Sequence, residues 1–274
     1  MSGTGLPSAG GGGAAGTRGR TCPMSDLPPA APHPDKGRSV QAMFDRIAPR
    51  YDLLNAVLSL GVDRSWRRRA VRAALARSPR RVLDVATGTA DLAIALASAG
   101  SEAEVVGVDF SENMLKVGRA KAARRGLPVR LESGDGMALP YEDASFDSVT
   151  IAFGLRNFAD IDAGLREFRR VLTPGGRLVV LEFPPPPRGA FGLAFRFYFL
   201  RVLPRLGGLI SGDGGAYRYL PASTLAFPPP EELARRMRRA GFESVTWSML
   251  TFGVAAMHVA EVKESEVHEG RSQR

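Results

Sequence analysis

Two aspartates and one short glycine turn are the residues whose types and spacing point most directly to chemistry. Asp84 lies in the apolar run Val82-Leu83-Asp84-Val85, which breaks into Thr87-Gly88-Thr89-Ala90 and resumes as a helical pattern from Asp91 to Leu96. A strand, a small-residue turn and a helix set backbone N–H groups and a helix N-terminus at the carboxyl edge of a sheet, where open α/β folds bind ligands. Gly88 lets a ligand approach the backbone closely. Asp109 ends a second apolar run, Val105-Val106-Gly107-Val108, 25 residues beyond Asp84. An acid at that place can accept hydrogen bonds from a ribose diol. The chemistry implied is the binding of a nucleotide-like molecule, with a plain βα turn rich in Gly and Thr as the competing reading. A dinucleotide would demand G-x-G-x-x-G; Gly88 is followed by Thr89 and Ala90, so that fingerprint fails.

A short Gly turn paired with a ribose-binding acid resembles the class I S-adenosylmethionine (SAM) methyltransferases. SAM has no pyrophosphate and needs no full phosphate cradle. The third turn of the series, Gly134-Asp135-Gly136, would bring Asp135 to an adenine amino group, or be turn chemistry alone.

These residues need elements to hold them. Residues 1–37 are rich in Gly, Pro, Ala and Ser and are expected to be disordered. They lack an apolar signal core. Arg18 and Arg20 in an acid-poor stretch raise a transit peptide, which the lack of an amphipathic pattern argues against. Residues 38–263 are expected to form one catalytic domain, with 264–274 a charged tail. Val40, Met43, Phe44 and Ile47 share one helical face, Pro49 ends it, and Leu53–Leu60 and Arg64–Arg77 read as two further helices. This segment, 40–77, is expected to be a lid in which Tyr51, Asn55 and Trp66 either touch ligand or pack.

Alternation then continues. Ser111 caps a helix to Arg125, Val129–Ser133 and Ser145–Phe153 are strands, Asp160–Leu172 is a helix, and Arg177–Phe183 is a fifth strand. Ser244–Thr251 and Val254–Val262 close the sheet as an antiparallel pair. The expected fold class is α/β: a class I, Rossmann-like doubly wound sheet, mostly parallel with an antiparallel C-terminal strand. Residues 184–220 interrupt it. There Phe191–Leu206 mixes Phe191, Phe195, Phe197 and Phe199 with Arg196, Arg201 and Arg205. That helix is too short to span a bilayer. It fits an acceptor pocket, a membrane surface or a core helix. Gly207–Gly215 reads as a flexible loop.

Composition removes other classes. The single Cys22 excludes a disulfide framework within one chain, and His33, His258 and His268 have no metal-ligand spacing. A net charge of +9 suits nucleic acid or an anionic membrane, yet the arginines fall at helical spacing without interleaved aromatics, as solvated faces do.

Four segments together resemble one family: Tyr51-Asp52-Leu53-Leu54-Asn55 with Ser59 and Trp66; Phe153-Gly154-Leu155-Arg156-Asn157; Arg170-Val171-Leu172-Thr173-Pro174-Gly175-Gly176-Arg177 through Leu181-Glu182-Phe183; and Tyr217-Arg218-Tyr219-Leu220 with Gly241-Phe242. The chain is similar to the UbiE/MenG family of C-methyltransferases of menaquinone and ubiquinone biosynthesis, over roughly Val40 to Val262. It departs from the family pattern at Asp63, where His is usual, and at Pro184, where Ser is usual.

The resemblance implies SAM as cofactor, held by Asp84, Gly88, Thr89, Asp109, Asp135 and Gly136. It implies a polyprenylated quinol as acceptor, near Tyr51, Asn55, Asn157, Tyr217 and Tyr219. Arg156 is expected to stabilise the ionised quinol, with a water or His258 taking the proton, although Arg156 could instead pair with Asp160 or Glu182 and His258 could be a packing residue. No metal and no nucleic acid is expected. Peripheral contact with the inner face of the cell membrane and a homodimer stay open, in an otherwise cytoplasmic protein. Demethylmenaquinol is placed first, since an Arg-, Ala- and Gly-rich composition fits a GC-rich bacterial genome. The ubiquinone precursor, another small molecule, RNA, and SAM binding without catalysis are the alternatives.

Overall fold

The computed structural model describes residues 36–53, 59, 61–100, 102–186, 189–202 and 214–264. Seven strands form one sheet: β1 (Arg81–Val85), β2 (Glu104–Asp109), β3 (Val129–Ser133), β4 (Phe146–Ala152), β5 (Leu172–Glu182), β6 (Ser244–Leu250) and β7 (Ala255–Glu261). Their order is β3-β2-β1-β4-β5-β7-β6, and β7 alone runs antiparallel to its neighbours β5 and β6. The order reverses between β1 and β4, which opens a crevice at the carboxyl ends of those strands.

The α-helices that accompany the strands include α1 (Lys36–Ile47), α2 (Asp63–Leu75), α3 (Asp91–Ala97), α4 (Glu112–Arg124), α5 (Ile161–Val171), α6 (Gly189–Phe197), α7 (Gly214–Ala226) and α8 (Pro230–Arg239). A period of two along each strand feeds two cores. Val82, Val105 and Val179 pack with Trp66 and Ala70 of α2 and Leu92 of α3; Leu83, Val106 and Val180 pack with Phe168 of α5 and Leu233 of α8. Each such side chain, fully buried, contributes roughly 1.5–3 kcal/mol. The helices start where caps allow. Ser111 accepts from the Met114 N–H to open α4, and the Asp160 carboxylate accepts from the Ala163 N–H to open α5.

A third, smaller core lies over the crevice. Val40, Met43 and Ile47 of α1 pack there with Met114, Phe199 and Tyr219. The lid and the insertion therefore close on each other above the sheet.

Several expectations are corrected. Helix α1 begins at Lys36, inside the stretch expected to be disordered, and residues 1–35 lie outside the described ones. Strand β5 starts at Leu172 rather than Arg177, because Leu172 already pairs with Phe146 and Thr173–Gly176 form an irregularity before the ladder resumes at Arg177 opposite Ser148. The apolar insertion is helical to Phe197 and then a π-turn, Tyr198–Val202. Gly214 and Gly215, expected in a loop, open α7. Most of the expected helix 53–60, including Asn55, and the tail from 265 lie outside the described residues, as does the side chain of Tyr217.

Candidate active site

The turn after β1 is held by its own two acids. Asp84 is fully buried; its carboxylate accepts from the Thr87 hydroxyl at 2.7 Å and from the Thr150 hydroxyl of β4 at 2.7 Å. Burial pushes its pKa up to about 6, while the two hydroxyls pull it down. Asp109, at the end of β2, accepts from the Gly88 N–H at 2.8 Å and the Ser111 N–H at 2.9 Å. Burial raises it to about 6 as well, against those backbone bonds. Gly88 has φ +56° and open space where a Cβ would sit, and Ala86 and Ala90 beside it also have positive φ. For alanine that conformation costs on the order of 1 kcal/mol, so the turn is held by its surroundings. Gly154, after β4, provides part of that hold: a Cβ there would lie 2.5 Å from the Ala86 Cβ.

Two adjoining clefts flank this turn. One is lined by Asp84, Thr87, Gly88, Thr89, Asp91 and Arg67, the other by Gly88, Asp109, Phe110, Met114 and Asn157; Tyr51 and Phe153 line both. The Asn157 side-chain oxygen is buried without a hydrogen-bond partner. An unpaired buried acceptor costs about 1–3 kcal/mol, so it suits a ligand that brings a donor.

Thr89 has another partner. Its hydroxyl donates to Asp52 at 2.5 Å, and Lys121 of α4 bonds Asp52 at 2.7 Å, Thr89 at 3.2 Å and Asp91. Arg67 continues the chain by pairing with Asp91 at 3.5 Å and with Asp63, which in turn accepts from Ser59 at 2.6 Å. Asp63, a departure from the family pattern, thus serves as the counter-charge for Arg67.

Beyond Tyr51 and Phe153 opens a cavity of about 320 Å³. Trp66, Phe183, Phe195, Tyr198, Phe199 and Tyr219 are among its lining residues. The Phe153 and Phe183 rings, at the ends of β4 and β5, stack at 4.5 Å with Trp66 edge-on to Phe183. Two cations reach this wall between the aromatics: Arg67, answered by Asp63 which also lines the cavity, and Arg156. Arg156, in the single helical turn Leu155–Asn157, is 7% exposed and donates to Glu182 at 2.7 Å and to the Phe153 carbonyl. Glu182 also accepts from the Arg156 and Phe183 N–H groups, so its electron pairs are engaged in holding the guanidinium. Arg156 Nε and the Tyr219 hydroxyl are buried donors without partners. Burial pushes the Tyr219 phenol up to about 12, with Arg156 opposing and Glu182 adding.

The expected site residues therefore divide. Asp84, Gly88, Thr89, Asp109 and Asn157 meet at the first two clefts; Arg156 and Tyr219 meet at the cavity; Tyr51 stands at all three. Asn157, expected toward the acceptor, lines the Asp109 cleft instead. Asp135 and Gly136 line none of the three. The Asp135 carboxylate is exposed and caps its own turn through the Met137 N–H, and Gly136 makes room for Phe158, whose ring would meet a Cβ at 2.5 Å. His258 is a correction. It lies mid-strand on β7 opposite Val180, its Nε2 3.0 Å from the Pro230 carbonyl under α8. Burial lowers its pKa, and it lines none of the clefts. Sequence reasoning missed Lys36, Asp52, Arg67 and Lys121. Only Asp52, inside the Tyr51 segment, carried any signal.

The model of the ubiE/COQ5 methyltransferase family matches residues 33–262. The chain belongs to this family. A demethylmenaquinone methyltransferase of Deinococcus radiodurans is 61% identical over 234 residues, covering 85% of this chain and 97% of its own. One of Thermus thermophilus is 63% identical over 219 residues, covering 80% and 99%. A ubiquinone/menaquinone biosynthesis C-methyltransferase UbiE of Geobacter sulfurreducens is 49% identical over 232 residues, covering 83% and 90%. Among solved structures, the [4+2]-cyclase SpnF superposes with a TM-score of 0.64 at 20% identity, covering 86% of this chain and 98% of its own, which speaks for the fold alone. A SAM-dependent methyltransferase of Thermotoga maritima does so at 0.57 and 20% identity, covering 81% and 99%.

The methyltransferase uses SAM as methyl donor. The clefts around Gly88 fit that molecule: an acid with free lone pairs, an unpaired amide oxygen and an open glycine turn converge there.

Proposed function

We propose that this methyltransferase methylates a ring carbon of demethylmenaquinol to give a menaquinol. The observation that carries the reading is the aromatic cavity with the buried Arg156–Glu182 pair in its wall, sharing Tyr51 and Phe153 with the SAM clefts. The names of the 61–63% identical relatives support the same substrate.

A quinol carbon is a weak nucleophile until a neighbouring hydroxyl ionises, and a phenol has pKa about 10. Bound SAM supplies an electrophilic methyl group. Arg156 stabilises the phenolate as the hydroxyl proton passes to a water; its guanidinium stays protonated and has no lone pair to act as a base, and Glu182 fixes its direction. The Tyr219 hydroxyl stays protonated and donates to the same oxygen. Tyr51 and Phe153 set the ring edge toward the donor clefts, and Trp66, Phe183 and Phe199 keep water away. Asp109 receives the ribose and Asp84 fixes the turn. The acceptor's prenyl tail belongs in lipid, and the outer side of α6 suits a membrane surface. Leu193 and Phe197 are 73% and 65% exposed beside the exposed Arg196.

The test is incubation of the purified protein with SAM and demethylmenaquinol, the demethoxy precursor of ubiquinone, or simple phenols. Mass spectrometry is expected to find menaquinol as the preferred product. Methylation of the phenols with none of either quinol would overturn the reading.

A further inference from the structure

We propose that Lys36 is a positioning residue for the methyl transfer, supplying through the Arg156 turn the surplus positive charge that favours an ionised acceptor. This rests on the reading that the acceptor ionises at the Arg156 wall.

Lys36 is the first residue of α1 and only 3% exposed. Its Nζ donates to the Arg156 carbonyl at 2.8 Å and to the Phe158 carbonyl at 2.9 Å, at the C-terminal end of the helical turn that carries Arg156. Those carbonyls lack helical partners, and a cation there is favourable. The bonds tie the lid to the segment that aims the guanidinium.

The charge balance is uneven. Arg156 is answered by Glu182 at 2.7 Å, whereas no ion pair among the described residues reaches Lys36. At the Arg156 wall two buried cations thus face one buried carboxylate; Tyr219 beside them is neutral, and across the cavity Arg67 is answered by Asp63 and Asp91. Such a surplus is costly in a dry site. Burial and the Arg156 charge lower the Lys36 pKa to about 8. A neutral quinol leaves the surplus in place. A phenolate cancels it, and at low effective dielectric that preference is larger than it would be in water. Glu182 offsets part of the Arg156 charge; Lys36 restores a net preference for an anion. Because the ammonium lies behind the turn and outside the cavity lining, it acts through Arg156 and does not touch the acceptor.

The test uses the full chain with SAM bound, and 1-naphthol as probe, whose ionisation is read by absorbance. The wild type is expected to lower the naphthol pKa. The K36M variant is expected to raise it by about one unit relative to wild type, a tenfold loss of naphtholate preference. It should also cut kcat on demethylmenaquinol about tenfold with KM little changed, and K36R should restore both. SAM affinity and thermal melting report whether the fold is intact; where K36M loses SAM binding, K36Q, which keeps a donor for the carbonyls, makes the same comparison. Equal naphthol pKa values in wild type and the neutral variant overturn the proposal even if kcat falls, because Lys36 is then only a peg. A wild type that leaves the naphthol at its free value overturns it too. A wild type that titrates naphthol as expected but leaves demethylmenaquinol unmethylated overturns the substrate instead.

Discussion

Arg156 and Glu182 form an ion pair with almost no solvent at either end. Breaking such a pair leaves an uncompensated buried charge, typically at 3–5 kcal/mol. The Glu182→Gln variant is therefore expected to lower stability to urea by about 3 kcal/mol. Arg156→Ala is expected to lower kcat on demethylmenaquinol by about 100-fold while SAM affinity, measured by calorimetry, stays within a factor of two or so. The pairing was half legible in the sequence, where Asp160 and Glu182 were equal candidates. The structure gives Asp160 to the N-terminus of α5 and leaves Glu182. Asp109 carries a pH prediction. Its pKa is raised to about 6, and the ionised form, with both oxygens as acceptors, holds the backbone N–H groups and two ribose hydroxyls more strongly than the protonated one. SAM affinity should fall as pH drops through 6, by up to about tenfold per unit, and Asp109→Asn should flatten that profile in a calorimetric titration.

At the scale of elements, the lid is fastened to the SAM turn by charge rather than by apolar area alone. Asp52 accepts from Thr89 and pairs with Lys121. Asp52→Ala is expected to weaken SAM binding about tenfold, through a faster off-rate seen in stopped-flow, since Lys121 still has Asp91 but the lid has lost its clasp. The close approach of the β1 and β4 turns sets a second expectation. Gly154→Ala should cost about 1–3 kcal/mol in denaturant melts, because the added methyl meets Ala86 backbone-bound at 2.5 Å. The strands and the helices flanking them were legible because long apolar runs and periods of 3.6 report burial directly. Helix α7 was not, since it begins at Gly214-Gly215 and contains Pro221, residues that locally oppose a helix. Packing of Tyr219 against the lid outweighs that local preference.

For the whole molecule, the net charge of +9 is spread over faces that partly answer it. Arg81 pairs with Glu104, and Arg235 and Arg239 with Glu232, in exposed pairs that contribute little, about 0–1 kcal/mol each. No helix of the described residues is long and apolar enough to cross a membrane. If α6 docks on lipid, the full chain should float with phosphatidylglycerol vesicles at low salt, less so as salt rises, and a Leu193→Ser, Phe197→Ser double variant should lose most of that binding while keeping its activity on short-tailed quinols.

The sequence by itself determined the alternation of strands and helices, the glycine turn between Asp84 and Asp109, and the family, because each is written in residues close along the chain. It could not place Lys36 against Arg156, 120 residues away, nor choose between Asp160 and Glu182 as the partner of Arg156. Nor could it tell that His258 faces α8 rather than the cavity. Those facts depend on which ends of which elements meet. A local pattern records that a side chain is buried, while the charges and carbonyls buried beside it are fixed only when the lid, the sheet edge and the insertion close on one another.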